Sequence, residues 1–152
     1  MPIHLQPLGR QHASDLVRIL QTDAELQAVL GSHGHIDASS FLRTCEEWME
    51  RQDGQTYCLL LGDMPIGTIS ISRKGLEQGC ARVGYWLSSA KWNQGYATKA
   101  FDLIIDEAKA NGDSKLVATI PKTAAASVRI WRKNGATFKE NPGDYSATLS
   151  LA

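Results

Sequence analysis

The sequence predicts an α/β (α+β) fold: one mixed, mostly antiparallel sheet of six to seven strands carrying about four helices. Three observations lead there. The first third of the chain has apolar residues at helical spacing, and from Thr56 the pattern switches to the period of two that marks strands. Three short strands then follow one another closely enough to form an antiparallel meander. After them, residues 80–120 read as a strand, a glycine turn, an amphipathic helix and an apolar strand, which together make a right-handed parallel crossover. At 152 residues the chain is expected to form a single domain, 1–152, long enough to bury a real core.

In chain order, residues 3–8 read as a first strand closed by Pro7 and Gly9. A helix over 13–20 carries Leu16, Val17, Ile19 and Leu20, and a shorter one over 24–30 has Thr22 or Asp23 as its cap. After the loop 31–36, Asp37 or Ser39 caps a helix to about Arg51 with Phe41, Leu42, Cys45, Trp48 and Met49 at helical spacing. Residues 57–61 and 66–72 are strands joined by Gly62-Asp63-Met64-Pro65, the second alternating Gly67, Ile69 and Ile71 against Thr68 and Ser70, so that one face is expected to be buried and one polar. Residues 80–87 alternate in the same way. The helix over 96–110 has the apolar stripe Ala97, Ala100, Phe101, Ile104, Ile105 and Ala108, and Asn111-Gly112 ends it. Residues 116–120 are nearly all apolar, as for a central strand covered on both faces. Thr123 can cap a helix over 124–134 with Val128 and Trp131 inward, and two strands, 136–140 and 145–151, finish the chain.

The stretch between the third meander strand and the long helix carries the chemistry. A glycine turn opening a helix leaves main-chain N–H groups unpaired at the positive end of the helix dipole, an arrangement that binds phosphate without cationic side chains. The P-loop pattern Gly-x-x-x-x-Gly-Lys-Ser/Thr is absent, and a dinucleotide fingerprint would need three glycines where only Gly95 stands. The residues therefore point to a phosphate-bearing cofactor held by backbone.

The run "GYWLSSAKWNQGYATKAFDLIIDEA" resembles the acyl-CoA motif of the GNAT (Gcn5-related) N-acetyltransferases, Gln/Arg-x-x-Gly-x-Gly/Ala, laid on Trp92 to Ala97, and most of all the subgroup of ribosomal-protein N-terminal acetyltransferases. "SVRIWRKNGATF" is similar to the family's Ser-x-x-φ-Tyr-x-Lys-x-Gly-Phe, with Ser127, Lys133 and Gly135 matching. The element order β-α-α-β-β-β-α-β-α-β-β also fits. The resemblance implies acetyl-CoA as cosubstrate, with pantetheine lying between two splayed central parallel strands. Trp86, Leu87 and Ser88 would offer it backbone partners, while Asn93, Gln94, Gly95, Tyr96, Ala97 and Thr98 would wrap the pyrophosphate. At Gly95 a β-carbon would obstruct either the approach of the backbone or the dihedral angles of the turn.

Transfer to an amine requires loss of a proton from the amine, stabilisation of an oxyanion and departure of a thiolate helped by a proton donor. The family often uses a Glu as base, a Tyr as acid and an Asn nearby, but here Arg82, Trp131 and Ala124 occupy those positions. Ser127 remains the candidate catalytic hydroxyl, and Tyr85, Tyr145 and Glu77 are further candidates. His33 and His35 lie in a loop that lines the acceptor pocket in the family, so they are expected to bind substrate; two histidines without a third ligand make no metal site, and the alternative is a plain polar loop. The implied function is direct transfer of an acetyl group from acetyl-CoA to a small primary amine or a protein N-terminus. The rival readings are a non-catalytic acyl-CoA-binding or regulatory domain and a plain interaction module.

Sixteen basic and sixteen acidic residues balance, which removes the electrostatic case for nucleic acid or an anionic membrane. Cys45, Cys58 and Cys80 are odd in number and without metal-ligand spacing, and read as reduced thiols. With no signal-like or membrane-spanning run, a cytoplasmic protein is expected. A homodimer is compatible with all of this.

Overall fold

The computed structural model describes residues 2–31 and 35–151. Strand β1 (Ile3–Pro7) is followed by three helices, α1 (Arg10–Thr22), α2 (Ala24–Leu30) and α3 (Ala38–Gln52). The meander β2 (Gly54–Leu61), β3 (Met64–Ser72) and β4 (Cys80–Leu87) comes next, then α4 (Tyr96–Ala110), β5 (Lys115–Pro121), α5 (Ala125–Lys133), β6 (Thr137–Asn141) and β7 (Asp144–Ser150). The seven strands form one sheet in the order β1-β2-β3-β4-β5-β7-β6, antiparallel everywhere except between β4 and β5. The fold class is the expected one. Five α-helices stand where about four were expected; α2, expected over 24–30, makes three helices between β1 and β2 against the two of the order β-α-α-β.

The sheet is covered on both sides, and strand alternation decides which side chain goes where. Tyr57, Leu59 and Leu61 of β2 join the main core with Phe101 and Ile104 of α4 and Trp131 of α5, whereas Cys58 and Leu60 point the other way onto Leu16 of α1 and Phe41 of α3. The second cover corrects the expectation of a polar face on β3: Thr68 and Ser72 are buried, and Thr56 Oγ1 lies 3.0 Å from Ser70 Oγ. β5 departs in the opposite direction. Leu116 and Ile120 are buried, but Thr119 is exposed, so the strand is not fully covered on both faces.

Helix ends follow local chemistry. Asp23 caps α2 by accepting from Leu26 N–H at 3.1 Å, and Asp37 caps α3 by accepting from Ser40 N–H at 2.8 Å. α1 begins at Arg10, three residues before the expected start, because buried His12 reaches back: its Nδ1 accepts from Gly9 N–H at 3.1 Å while Nε2 donates to Gln6 Oε1 at 3.0 Å. Thr123 is not a cap; Ala124 holds that position with no side-chain bond. Gly67 is fixed by close approach, since a β-carbon there would lie 2.2 Å from Trp86 O.

Candidate active site

β4 and β5 pair only at Cys80–Lys115, Ala81–Leu116 and Arg82–Val117. Beyond Arg82 the two strands run on unpaired with each other, β4 to Leu87 and β5, held by β7, to Pro121. The sheet therefore opens between its central strands. Ser88 N–H donates to Ile66 O at 2.8 Å, and Trp86 stands opposite Thr68, so antiparallel alternation turns the main-chain groups of Trp86 and Ser88 toward β3. Those of Tyr85 and Leu87 face the opening. Leu87 O is taken by Trp92 Nε1 at 2.8 Å, which ties the turn to the strand and leaves Leu87 N–H free for a ligand. Of the three residues expected to offer backbone, Leu87 alone does so. Ser88 is doubly engaged, its carbonyl accepting from Lys91 N–H at 2.9 Å.

The opening leads to a cavity of about 630 Å³. Its floor is the turn into α4. Gly95 caps that helix at φ 86°, and Asn93 also has positive φ, 60°. The space around Gly95 is empty where a β-carbon would project, so the dihedral angle is what requires glycine here. Among the described residues, no hydrogen bond of ordinary geometry is made by the N–H groups of Asn93, Gln94, Gly95, Tyr96, Ala97 or Thr98; the first helical bond runs from Lys99 N–H to Gly95 O at 3.1 Å. N–H groups without a partner of ordinary geometry at the positive end of a 15-residue helix make an anion cradle. Asn93, Gly95, Ala97 and Thr98 line the cavity, with Lys91, Arg129 and Lys133 at its edge as the only cations among the described lining residues. Gln94 and Tyr96 do not line it: the Gln94 amide donates to Ala90 O at 2.8 Å, and the Tyr96 ring packs against the core. The residues present fit a CoA-type ligand, with its pyrophosphate on the cradle and an extended amide chain along Leu87.

Ser127, the third residue of α5, faces the same cavity. Its Oγ lies 2.7 Å from the Tyr85 hydroxyl, which reaches it from β4. Burial pushes the Tyr85 hydroxyl above the usual phenol range, only partly offset by the bond to Ser127, so it stays protonated and can donate. The other candidates fall away. Tyr145 stacks edge-on to Phe138 at 6.0 Å on β7, and Glu77 sits on a far turn, 3.4 Å from Lys115 Nζ; neither lines the cavity. Trp131 is 2% exposed, 4.9 Å from Phe101 in an edge-on contact, and belongs to the core. Arg82 is exposed outside the cavity. His33 lies outside the described residues; His35 is exposed and is not among the described lining residues of the cavity. Among the described residues no group of three His, Cys, Asp or Glu could hold a metal, and no helix is long and apolar enough to cross a membrane.

What sequence reasoning missed is the opposite wall. Leu26, Val29 and Leu30, at i, i+3 and i+4 of α2, face the cavity together with Trp86. The spacing was present in the sequence, though not its partner. α2 is held in place by Asp23, whose carboxylate accepts from Ser89 N–H at 2.7 Å and Ser89 Oγ at 2.6 Å as well as from Leu26. Partial burial raises its pKa, but these three donors outweigh that and hold it below the usual aspartate value.

Among solved structures, RimJ of Mycobacterium smegmatis in complex with CoA-disulfide matches with a TM-score of 0.82 at 17% identity, covering 97% of this chain and 81% of that one. An acetyltransferase of the GNAT family from Chromobacterium violaceum matches with 0.79 at 20% identity, over 99% and 87% of the two chains. The yncA protein of Salmonella typhimurium with acetyl-CoA matches with 0.72 at 18%, over 99% and 94%. No curated protein sequence matches significantly. At these identities the structures establish the fold. The family is established by the sequence itself, since residues 3–137 match the acetyltransferase (GNAT) domain, and the chain belongs to that family of acetyl-CoA-dependent acetyltransferases.

Proposed function

We propose that the protein transfers an acetyl group from acetyl-CoA to a primary amine, a small amine or a protein N-terminus, directly within a ternary complex. The observation that carries this is the coincidence in one cavity of the turn residues Asn93, Gly95, Ala97 and Thr98, whose N–H groups lack a partner of ordinary geometry, the free Leu87 N–H in the open sheet, and the Tyr85–Ser127 hydroxyl pair. Resemblance to the ribosomal-protein N-terminal subgroup adds support for an N-terminal acceptor. In the proposed arrangement the N–H groups of residues 93–98 hold the pyrophosphate, and Leu87 N–H pairs with the pantetheine amide.

Bound acetyl-CoA supplies an acetyl group activated as a thioester, with a thiolate as leaving group. The cleft aligns the amine nitrogen with that group, and proximity carries much of the rate. Ser127 Oγ passes its proton to the departing sulfur while Tyr85 Oη donates to Ser127, so the developing negative charge meets a polarised hydroxyl, and the proton the amine gives up, carried by water, restores the pair. The amine proton leaves to water, because the lining described holds no carboxylate.

A thermal-shift series with acetyl-CoA, CoA, ATP and NADH tests the reading. A ligand at 100 times its dissociation constant stabilises by about 2.7 kcal/mol, several degrees for a domain of this size. The expected result is a shift with the two CoA species alone, lost in Gly95→Glu. No shift with either CoA species from folded protein contradicts the reading.

A further inference from the structure

The cavity crosses the sheet through the gap between β4 and β5, and its two ends differ in chemistry. At the α4–α5 end stand the N–H cradle, Arg129, Lys133 and Ser127; at the other stand Leu26, Val29, Leu30 and Trp86. Val29 is 67% exposed and Leu30 38%, and Met64 is the only other exposed large hydrophobic among the described residues. A seven-residue helix that spends its exposed apolar side chains on a cavity rim is shaped for an apolar contact. No Asp or Glu is among the described lining residues. The nearest acids, Asp23 and Glu25, line a separate hollow on the far side of α2, where Asp23 is occupied by Ser89 and Leu26.

We infer that the acceptor is a primary monoamine with an apolar group beside the nitrogen, and not a polyamine. This rests on the acetyltransferase reading above. A second ammonium would enter a cleft with no carboxylate among its described lining residues, lose water and find no counter-charge there. A monoamine avoids that cost by entering neutral, which is also its nucleophilic form, and its apolar substituent covers the α2 stripe. The surroundings thus do for the acceptor part of what a carboxylate base would otherwise do: apolar walls favour the uncharged amine. A free amine and a polypeptide N-terminus with an apolar first side chain share this chemistry.

The test measures CoA thiol release by the full chain with saturating acetyl-CoA and 2-phenylethylamine, an amidated Leu-Ala-Ala peptide or spermidine as acceptor. The expected kcat/KM is about tenfold or more higher for one or both apolar monoamines than for spermidine, the scale on which an apolar pocket separates substrates. Whichever of the two is faster names the source. Val29→Asp, at an exposed position that leaves the fold intact, places a carboxylate on the rim and is expected to shrink that ratio about tenfold. Spermidine turned over as well as the monoamines, or an unchanged ratio in Val29→Asp, overturns this inference while leaving acetyl transfer standing. Absence of thiol release with every amine overturns both.

Discussion

Between Leu87 and Thr98 the cleft is made of main chain, whereas across the gap, on α2 and α5, it is made of side chains. In the proposed arrangement the first region would bind through N–H groups whose direction is set by Gly95, Asn93 and the start of α4. Almost any side chain at Gln94 or Tyr96 leaves those donors in place. In the proposed arrangement the second region would act through Tyr85, Ser127, Leu26 and Val29, which meet at the cavity through their side chains. The two regions should therefore respond differently to substitution. The donor side should be broken by changes in backbone geometry, the acceptor side by loss of single functional groups.

The largest effect is expected at Gly95. Gly95→Glu forces a side chain into a left-handed conformation and sets a negative charge on the anion cradle, so the acetyl-CoA-induced rise in Tm should vanish. Gly95→Ala keeps the charge neutral and should retain part of the shift, since the space for a β-carbon is open. Tyr85→Phe is expected to lower kcat about tenfold with the acetyl-CoA shift unchanged, because Ser127 keeps its hydroxyl and loses only its donor. Binding by calorimetry and steady-state turnover on the same preparation check the pair. A lost shift in Tyr85→Phe would mean that side chains hold the cofactor after all.

A smaller effect is expected at Asp23. Asp23→Ala removes the α2 cap and both bonds to Ser89, a loss of about 1 kcal/mol, and should raise the acceptor KM more than the acetyl-CoA Kd. The pH dependence has a definite sign. A carboxylate whose folded-state pKa is depressed contributes stability that is fully present above its unfolded value of 3.8 and fades as pH falls through the lower folded-state value. Wild type should lose stability over that acid range faster than Asp23→Ala does, as read from urea midpoints between pH 5 and 2.5.

The same contrast explains what the sequence could and could not disclose. β4 and α4 were legible because their signals are local: period-two alternation over 80–87, a glycine at 95 and a stripe over 96–110 all lie within one stretch of chain. The observed bounds, Cys80–Leu87 and Tyr96–Ala110, follow them closely. Which backbone groups of β4 remain free is not local. It depends on Ile66, the extra residue of a bulge opposite Leu59 and Leu60, whose carbonyl takes Ser88 N–H. The partnership of Tyr85 with Ser127 spans 42 positions. The early start of α1 was hidden because a histidine, outside the usual capping set, reaches back to Gly9. The buried Thr68 and Ser72 looked solvent-facing because α1, which packs on β3, lies far earlier in the chain. Trp131 in place of the family's tyrosine was visible in the sequence, but the meeting of Tyr85 and Ser127 from two elements was not.

The central claim is that backbone holds the donor while the Ser127–Tyr85 pair serves the departing thiolate. Its most direct test is Ser127→Ala, with acetyl-CoA affinity and kcat measured on one preparation. The account predicts an unchanged Kd and a kcat about 10²-fold lower, the usual worth of a positioned proton donor. An unchanged kcat, or a kcat that falls only as far as binding does, would contradict it.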